Sequence, residues 1–229
     1  MTKSQKGSVN IQPLSHEPLH ERLYASLRTA IMRGEFEPGR KLTVRELASL
    51  YGTSPMPVRA ALSRLVTEGG LEQGNSGQVR IPRTGKIIFQ QIMELRALLE
   101  GQATAAAVKY IDGNRLKTLN KLARKIEQIA EHDNVVEYLD AQKTFKHQIY
   151  EYAENPVLFS VIENLWLKAG PQLSYLSANL ETISEINFHN EALAFIEAKQ
   201  AKKAADAISK DILAGMQSIL DDAQNWADV

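Results

Sequence analysis

The chain begins with a polar stretch that is followed by a helical pattern of apolar positions. Residues 1–17 show no apolar periodicity, which predicts a disordered N-terminal tail. Pro18 then begins a helix that ends at Gly34, and Pro38-Gly39 marks a turn after it. The apolar stripe of this helix consists of positions four residues apart, namely Leu19, Leu23, Leu27 and Ile31.

Two short helices separated by a tight turn come next. Gly52 suits the end of the first helix, and Ser54 suits the N-cap of the second. Two helices joined by a turn of about three to four residues form a helix-turn-helix, whose second helix enters the major groove of DNA. The apolar positions expected to face the core are Leu47, Leu50 and Tyr51 in the first helix and Val58, Leu62 and Leu65 in the second.

A small hairpin completes this region. Leu71–Gln73 and Gln78–Ile81 have the pattern of short strands, and Asn75-Ser76-Gly77 is a turn signal between them. Residues 18–83 are therefore predicted to form a winged helix-turn-helix DNA-binding domain, followed by a linker at residues 84–87.

The rest of the chain, residues 88–223, is predicted to be helical because it contains no alternating stretch typical of a strand. The predicted fold class is mainly α, with the N-terminal winged helix-turn-helix followed by an all-α antiparallel helical bundle. Pro171 permits a kink or a restart in the fourth helix of the bundle. Six helices are expected, over residues 88–111, 116–130, 135–153, 157–169, 184–197 and 201–223.

Charge is distributed unevenly between the two halves. The net formal charge is zero, but residues 1–83 carry 12 Lys and Arg against 7 Asp and Glu, and the remainder carries 15 against 20. A basic domain joined to an acidic one suits a DNA-binding module fused to a module that does not bind DNA. A solvated charged surface explains the excess about as well.

Composition disfavours several other classes of protein. The absence of Cys excludes disulfides, thiolate zinc sites and cysteine nucleophiles. No apolar run reaches the length of about 20 residues that spans a bilayer, and no secretory signal is visible, so we expect a cytoplasmic protein without a membrane partner. The sequence contains no phosphate-binding glycine loop, nucleophile elbow or clustered carboxylate pair with a positioned nucleophile, so we expect no enzyme.

The helix-turn-helix region resembles the N-terminal domain of the GntR family of bacterial transcriptional regulators. Gly34–Leu42 matches the family's G-x-[FL]-x-P-G-x-x-L turn, and Ser54–Leu62 matches the start of its recognition helix, S-x-x-P-V-R-x-A-L. The chain departs from the family at Gly69-Gly70, where a single Gly and then an apolar residue are usual. The resemblance implies a transcriptional regulator, more usually a repressor, that binds a near-palindromic double-stranded DNA operator as a homodimer.

The helical half resembles the FadR-type (FCD) effector domain of the same family, in the six-helix form linked to the VanR subgroup. The resemblance implies an effector-binding and dimerisation domain over residues 88–223, in which a small molecule controls the affinity for the operator. The matching segments are Glu94–Glu100, Phe145, Asn155–Leu158 and His189–Leu193.

Eight residues are candidates for contact with DNA. Ser54, Pro55 and Met56 begin the recognition helix, where side chains reach base edges. Arg59, one turn later, suits a guanine or a phosphate, and Arg45 lies on the preceding helix. Small residues at the wing tip let the backbone approach the minor groove, and these residues are Asn75, Ser76 and Gly77.

Two considerations qualify this DNA-contact assignment. Arg45 and Arg59 could be surface charges that pair with Glu46 or Glu68. The family often has Arg where this chain has Pro55, so one base contact is absent and specificity depends more on the wing.

Many FadR-type domains bind a divalent metal through one Asp and three His. When the chain is aligned on Phe145 and Asn155, an ammonium falls among these positions, which opposes a cation, so we expect no metal and no other cofactor. A shifted register that uses Asp140 and His147 would break the alignment at Asn155, and we expect His147 to be a surface or half-buried residue. The four aligned positions hold Gln142, Lys146, His189 and Asp211.

Two roles are open for Lys146. It could pair with Asp211 in a bridge that replaces the metal structurally, or it could join Arg96 and His189 in binding an anionic ligand such as a carboxylate. Arg96 could instead pair with Glu100 along its own helix. The candidate effector-site residues are Arg96, Gln142, Lys146, His189 and Asp211.

Two rival functions accompany a DNA-binding regulator. In the first, the bundle site belongs to a metal-dependent sensor or enzyme, and DNA binding is secondary. In the second, the winged domain is a protein-interaction module. Metal content and DNA affinity discriminate among the three.

Overall fold

A computed structural model describes residues 18–74, 77–130, 135–179 and 188–222 together with residue 226. The predicted tail at residues 1–17 and the wing-tip residues Asn75 and Ser76 lie outside the described residues. In chain order the described elements are α1 (Leu19–Met32), β1 (Lys41–Leu42), α2 (Val44–Leu50), α3 (Pro55–Thr67), β2 (Glu72–Gln73), β3 (Val79–Arg80), α4 (Lys86–Ala107), α5 (Gly113–Ala130), α6 (Val135–Glu151), α7 (Pro156–Leu173), a 3-10 segment (Ser174–Asn179), α8 (Phe188–Glu197) and α9 (Ala201–Asp221).

The helix-turn-helix consists of α2 and α3, with α1 packed across α3. The hydroxyl of Thr43 caps α2 by accepting a hydrogen bond from the backbone N–H of Glu46 at 3.1 Å. Pro55 begins α3, in the first turn of the helix, where its missing N–H has no intrahelical partner to lose. The core of this domain includes Leu23, Leu27, Ile31, Val58, Ala61, Leu62 and Leu65, all of which are buried.

The predicted core face of α2 is wrong at one position. Leu50 is 74% exposed, whereas Leu47 and Ala48 are buried. Because the buried face of this short helix is centred between Leu47 and Ala48, Leu50 turns outward and Tyr51 is half-buried. Leu19, in the first turn of α1, is also exposed.

The wing has three antiparallel strands, one more than predicted. β3 lies in the centre, with β1 on one side and β2 on the other. Lys41 pairs with Arg80 and Leu42 pairs with Val79 in the first ladder. β1 is only two residues long, so no periodic sequence pattern marks it. The turn before β1 fixes it beside β3, because the Gly39 N–H donates to the Ile81 carbonyl at 3.0 Å and the Ile81 N–H donates to the Arg40 carbonyl at 2.9 Å.

Helices α4 to α9 form the helical domain and correspond to the six predicted helices. Residues 184–187 of the predicted fifth helix and residue 223 of the sixth lie outside the described residues. α4 and α9 run antiparallel: Lys86 Nζ donates to the carbonyl of Leu220 at 2.9 Å, and Ser209 Oγ donates to the carbonyl of Ala97 at 2.7 Å. α7 continues past Pro171 and leads directly into the 3-10 segment, so it is longer than predicted. None of the described helices has both the length and the apolar character needed to cross a membrane.

The winged and helical domains pack against each other. α1 lies along α7, and Arg33 Nε donates to Asp140 Oδ1 on α6 at 2.7 Å. α4 begins at Lys86, inside the segment predicted as a linker, so only a few residues separate β3 from the helical domain.

Candidate DNA-binding face and effector cavity

The start of α3 and the outer side of α2 form one exposed surface. Arg45, Ser54, Pro55 and Arg59 are all exposed, and Met56 is 79% exposed. An open concave surface between the two helices is lined by Val44, Arg45, Ala48, Ser49, Gly52, Thr53, Pro55 and Arg59. The structure therefore places five of the eight DNA-contact candidates on one face of the winged domain.

The acidic residues that could neutralise this face have other partners. Glu46 pairs with Arg40 at 3.2 Å, and Glu68 accepts hydrogen bonds from Tyr24 and Arg64. Within the part of the chain that the structure describes, no acidic side chain pairs with Arg45 or Arg59. The proposed pairing of these arginines with Glu46 or Glu68 is thus wrong, and their charges remain available to an external anion.

Ser54 and Gly77, two of the DNA-contact candidates, have local features that suit an external contact. Ser54 occupies the N-cap position of α3, but its hydroxyl makes no capping hydrogen bond. It is therefore available for contacts outside the protein. Gly77, at the wing, is exposed with φ +76°, a conformation that side chains with a Cβ rarely adopt.

A small cavity of about 60 Å³ lies inside the helical domain. It brings together Arg96, Gln142, Lys146 and Asp211 from three different helices. His189, the fifth candidate, is buried beside Phe145 with ring centroids 6.1 Å apart, but it does not line the cavity. The remaining lining residues are Met93, Tyr138, Leu139, Trp166, Leu173, Leu176, Ile212 and Gly215.

Arg96 is held in a buried network. Its Nε donates to Glu100 Oε1 at 2.7 Å, and the second oxygen of Glu100 accepts a hydrogen bond from the Tyr150 hydroxyl at 2.6 Å. The guanidinium carbon lies 3.9 Å from the ring centroid of Trp166. The alternative pairing of Arg96 with Glu100 is present, and it coexists with a position of Arg96 in the cavity wall.

Lys146 pairs with Asp211, so the bridge considered from the sequence is also present. Burial lowers the pKa of His189, although the nearby Asp211 carboxylate opposes the shift. Among the described residues, no group of three or more His, Asp or Glu side chains is placed to hold a metal ion. One imidazole and one carboxylate beside an ammonium do not fit the metal-binding donor set of related domains.

Two buried polar atoms of the side chains that line the cavity have no hydrogen-bond partner among the described residues. They are Gln142 Oε1 and Trp166 Nε1. The amide nitrogen of Gln142 is occupied, since it donates to the Tyr138 hydroxyl at 2.9 Å. The side chains that line the cavity therefore carry one unused acceptor and one unused donor in addition to their charges.

Sequence reasoning missed Tyr138 and Trp166 as lining residues. Tyr138 was within reach, because it lies four and eight residues before Gln142 and Lys146 and so shares their helix face. No sequence signal connects Trp166 to them, because it comes from a different helix.

His147 is half-buried, as expected. Its ring packs edge-on against Phe159 and Trp166, with centroids 5.3 and 5.5 Å away. Desolvation on burial lowers its pKa to about 3, with nearby Lys143 as the next cause. Asp140 pairs with Arg33 instead, which gives no support to the shifted metal register.

Comparisons with known proteins agree with this architecture. Residues 19–77 match the gntR family, described as bacterial regulatory proteins, and residues 91–224 match the FCD domain. The HTH-type transcriptional regulator McbR from Escherichia coli strain K12 is 31% identical over 163 residues, which are 71% of this chain and 74% of McbR. The HTH-type transcriptional repressor NagR from Bacillus subtilis strain 168 is 42% identical over 62 residues, which are 27% of this chain and 26% of NagR.

A solved structure, of E. coli McbR/YncC, has a TM-score of 0.83 to this chain at 27% identity. That comparison covers 89% of this chain and 98% of the other. The chain therefore belongs to the GntR family of bacterial regulatory proteins, as a transcriptional regulator that carries an FCD domain and is not an enzyme.

Proposed function

We propose that this regulator is a homodimeric repressor that acts in the bacterial cytoplasm and whose affinity for a near-palindromic operator is set by a small carboxylate bound in the cavity. The observation that carries the proposal is the exposed α2–α3 face, where Arg45 and Arg59 have no acidic partner among the described residues. The relative NagR is named a repressor, which supports repression as the direction of control.

On DNA, α3 would enter the major groove with its N-terminus towards the base edges. Ser54, Pro55 and Met56 would meet the bases, and Arg59 would bind a guanine or a phosphate. Arg45 would hold the adjacent backbone. The wing tip, formed by Asn75, Ser76 and Gly77, would approach the minor groove.

In the helical domain, a carboxylate would accept hydrogen bonds from Arg96 and from the free indole N–H of Trp166. Gln142 Oε1 would accept from a donor on the same ligand. His189, whose burial favours the neutral ring, would act near the site through hydrogen bonds. The cavity of about 60 Å³ is far below the usual 300–1,000 Å³ of ligand pockets, so ligand entry has to move side chains of its wall.

The site would work without a metal. Lys146 and Asp211 form an ion pair where related domains place ligands, and its positive partner supplies charge that a metal would otherwise supply. The pair also leaves the cavity wall close to electroneutral, because Arg96 is matched by Glu100. An incoming anion therefore has to compete with Asp211 for Lys146 or bind mainly through Arg96.

A homodimer fits the exposed surface of α4. Ile88, Leu95 and Leu98 share one face of this helix and are 53%, 49% and 67% exposed. Leu213 on the neighbouring α9 is 38% exposed. Apolar faces of this kind on a folded domain are typical of protein–protein interfaces, and a twofold pairing would match a palindromic operator.

The DNA-binding part is tested with duplexes enriched from a random-sequence pool by the wild-type protein. Arg59→Ala should weaken binding by about 1–3 kcal/mol, or roughly 5- to 150-fold, in a gel shift. Arg124→Ala is the matched control, because Arg124 is equally an exposed Arg but lies on α5 in the helical domain. Wild-type affinity in the Arg59 variant would refute the role given to this residue.

The effector part is tested by calorimetry with a panel of small carboxylates in the presence of a chelator. The proposal predicts that at least one of them binds without metal and releases the enriched duplex in the gel shift. Gln142→Leu should weaken that binding, because it removes the free acceptor from the cavity. Binding that requires Zn²⁺ or Ni²⁺ would instead favour the metal-dependent alternative.

A further inference from the structure

Helix α7 connects the effector cavity to the winged domain because two of its faces have different partners. On one face, the Trp166 ring lies 3.9 Å from the Arg96 guanidinium and 5.9 Å from Lys146 Nζ. All three side chains line the cavity. The adjoining face, which carries Glu163, Asn164, Leu167 and Gly170, contacts the winged domain.

The apolar part of this contact requires two glycines. Gly70 follows α3, and a Cβ on it would lie 2.7 Å from the Leu167 side chain of α7. Gly170 lies on α7 itself, and a Cβ there would collide with the carbonyl oxygen of Ile31 and lie 2.7 Å from the Cα of Met32. The backbones of α1 and α7 therefore touch, which leaves little room for the two domains to slide.

The polar part reaches the recognition helix directly. Asn164 Nδ2 donates to the backbone carbonyl of Glu68 at 3.1 Å, and Glu68 is the C-cap residue of α3. One turn of α7 also binds α1, because Arg28 Nη1 donates to Glu163 Oε1 at 3.2 Å. The C-terminal end of the recognition helix is thus fixed to the helix that carries Trp166.

We propose that α7 transmits the state of the cavity to the recognition helix of the same chain, through Trp166 at the cavity and Asn164, Leu167 and Gly170 at the winged domain. This inference rests on the proposed function. A ligand larger than the cavity has to displace wall side chains, and Trp166 is one of them. Because Leu167 is the next residue and is fully buried against Gly70, a shift of α7 at Trp166 also moves the end of α3.

Coupling between two sites is reciprocal, so DNA binding at α3 has to change the surroundings of Trp166. The chain has two tryptophans, Trp166 and Trp226, and Trp226→Phe leaves Trp166 as the single tryptophan. The probe is the duplex enriched from a random-sequence pool by the wild-type protein. Titration of the full-length Trp226→Phe protein with this duplex should shift or quench the emission of Trp166.

Gly170→Ala, made in the Trp226→Phe background, separates DNA binding from transmission. Alanine favours a helix over glycine by about 1 kcal/mol, so α7 should remain formed while α1 is pushed away from it. We expect this variant to bind the duplex but to lose the Trp166 response. Gly113→Ala is the matched control, since a Cβ at Gly113 has no neighbour within 4 Å. This control should retain both duplex binding and the Trp166 response.

Asn164→Ala gives a second test that adds no bulk and does not depend on whether Gly170→Ala folds. We expect Asn164→Ala to reduce the Trp166 response to the duplex. If the duplex binds while the emission of Trp166 stays unchanged, the transmission by α7 is refuted and the DNA-binding function still stands. A full response in both folded variants would also refute it. If no duplex is enriched or bound, the proposed function fails and this inference fails with it.

Discussion

Replacement of Asp211 tests whether the buried ion pair with Lys146 holds the helical domain together. The side chains of Lys146 and Asp211 are only 7% and 14% exposed, and they join α6 to α9. Asp211→Asn keeps the shape but leaves the ammonium without a counter-ion. Loss of one partner of a buried pair costs about 3–5 kcal/mol, because the desolvation penalty of the remaining charge persists. The Asn carbonyl still accepts a hydrogen bond, so we expect about 3 kcal/mol.

Urea unfolding of the full chain, followed by far-UV circular dichroism, measures this change. Asp206→Asn is the matched control, because Asp206 is exposed on the same helix, and its free energy of unfolding should stay within about 0.5 kcal/mol of wild type. The double variant Lys146→Met with Asp211→Leu removes both charges and should be close to wild type or more stable.

Two results would refute this reasoning. One is a loss below about 1 kcal/mol for Asp211→Asn, the net value of a single hydrogen bond, since it would mean that Lys146 finds water or another partner. The other is a double variant that loses as much stability as Asp211→Asn, since it would mean that the loss does not come from an ammonium left without its counter-ion. Either result would leave Lys146 free to serve a ligand alone.

Three further perturbations give separate tests. Thr43→Ala removes the cap of α2 and should lower the free energy of unfolding by about 1 kcal/mol in urea; no change would mean that water replaces the hydroxyl. Glu100→Gln leaves Arg96 buried without its carboxylate and should cost about 3 kcal/mol, and a neutral result would contradict the pairing. Burial lowers the pKa of His147 from 6.5 to about 3, so the unfolded chain binds a proton in this window that the folded chain does not. Stability should therefore fall as pH falls from 6.5 to 3, and His147→Gln should reduce that slope by about 1.4 kcal/mol per pH unit in pH-dependent urea unfolding; an unchanged slope would refute the burial.

Elements with a long local pattern were predictable from the sequence. The faces of α1 and α3 follow from a stripe of large apolar residues, and Val58, Leu62 and Leu65 are all buried as expected. Leu50 was misplaced because seven residues of α2 give two possible faces, and only packing on α3 selects one. β1 was missed because its pairing partner lies almost forty residues away in sequence.

The candidate site was predictable where its residues share one helix or one motif. Arg45 and Arg59 follow from the helix-turn-helix pattern, and Arg96 with Glu100 follows from their spacing on α4. The pairing of Lys146 with Asp211 was one of two open possibilities, because a sequence does not determine which helices meet inside a bundle. Trp166 was missed for the same reason.

Gly70 limits how freely this regulator can be recombined with its relatives. A chimeric regulator would join the DNA-binding domain of one protein to the helical domain of another. Most donors would bring an apolar side chain to this position, and it would press on the Leu167 side chain, which lies 2.7 Å from where a Cβ would be. A working chimera that keeps the helical domain of this chain therefore needs a DNA-binding domain with glycine at the position of Gly70. Otherwise Leu167 has to be replaced by a smaller residue to make room for the new side chain.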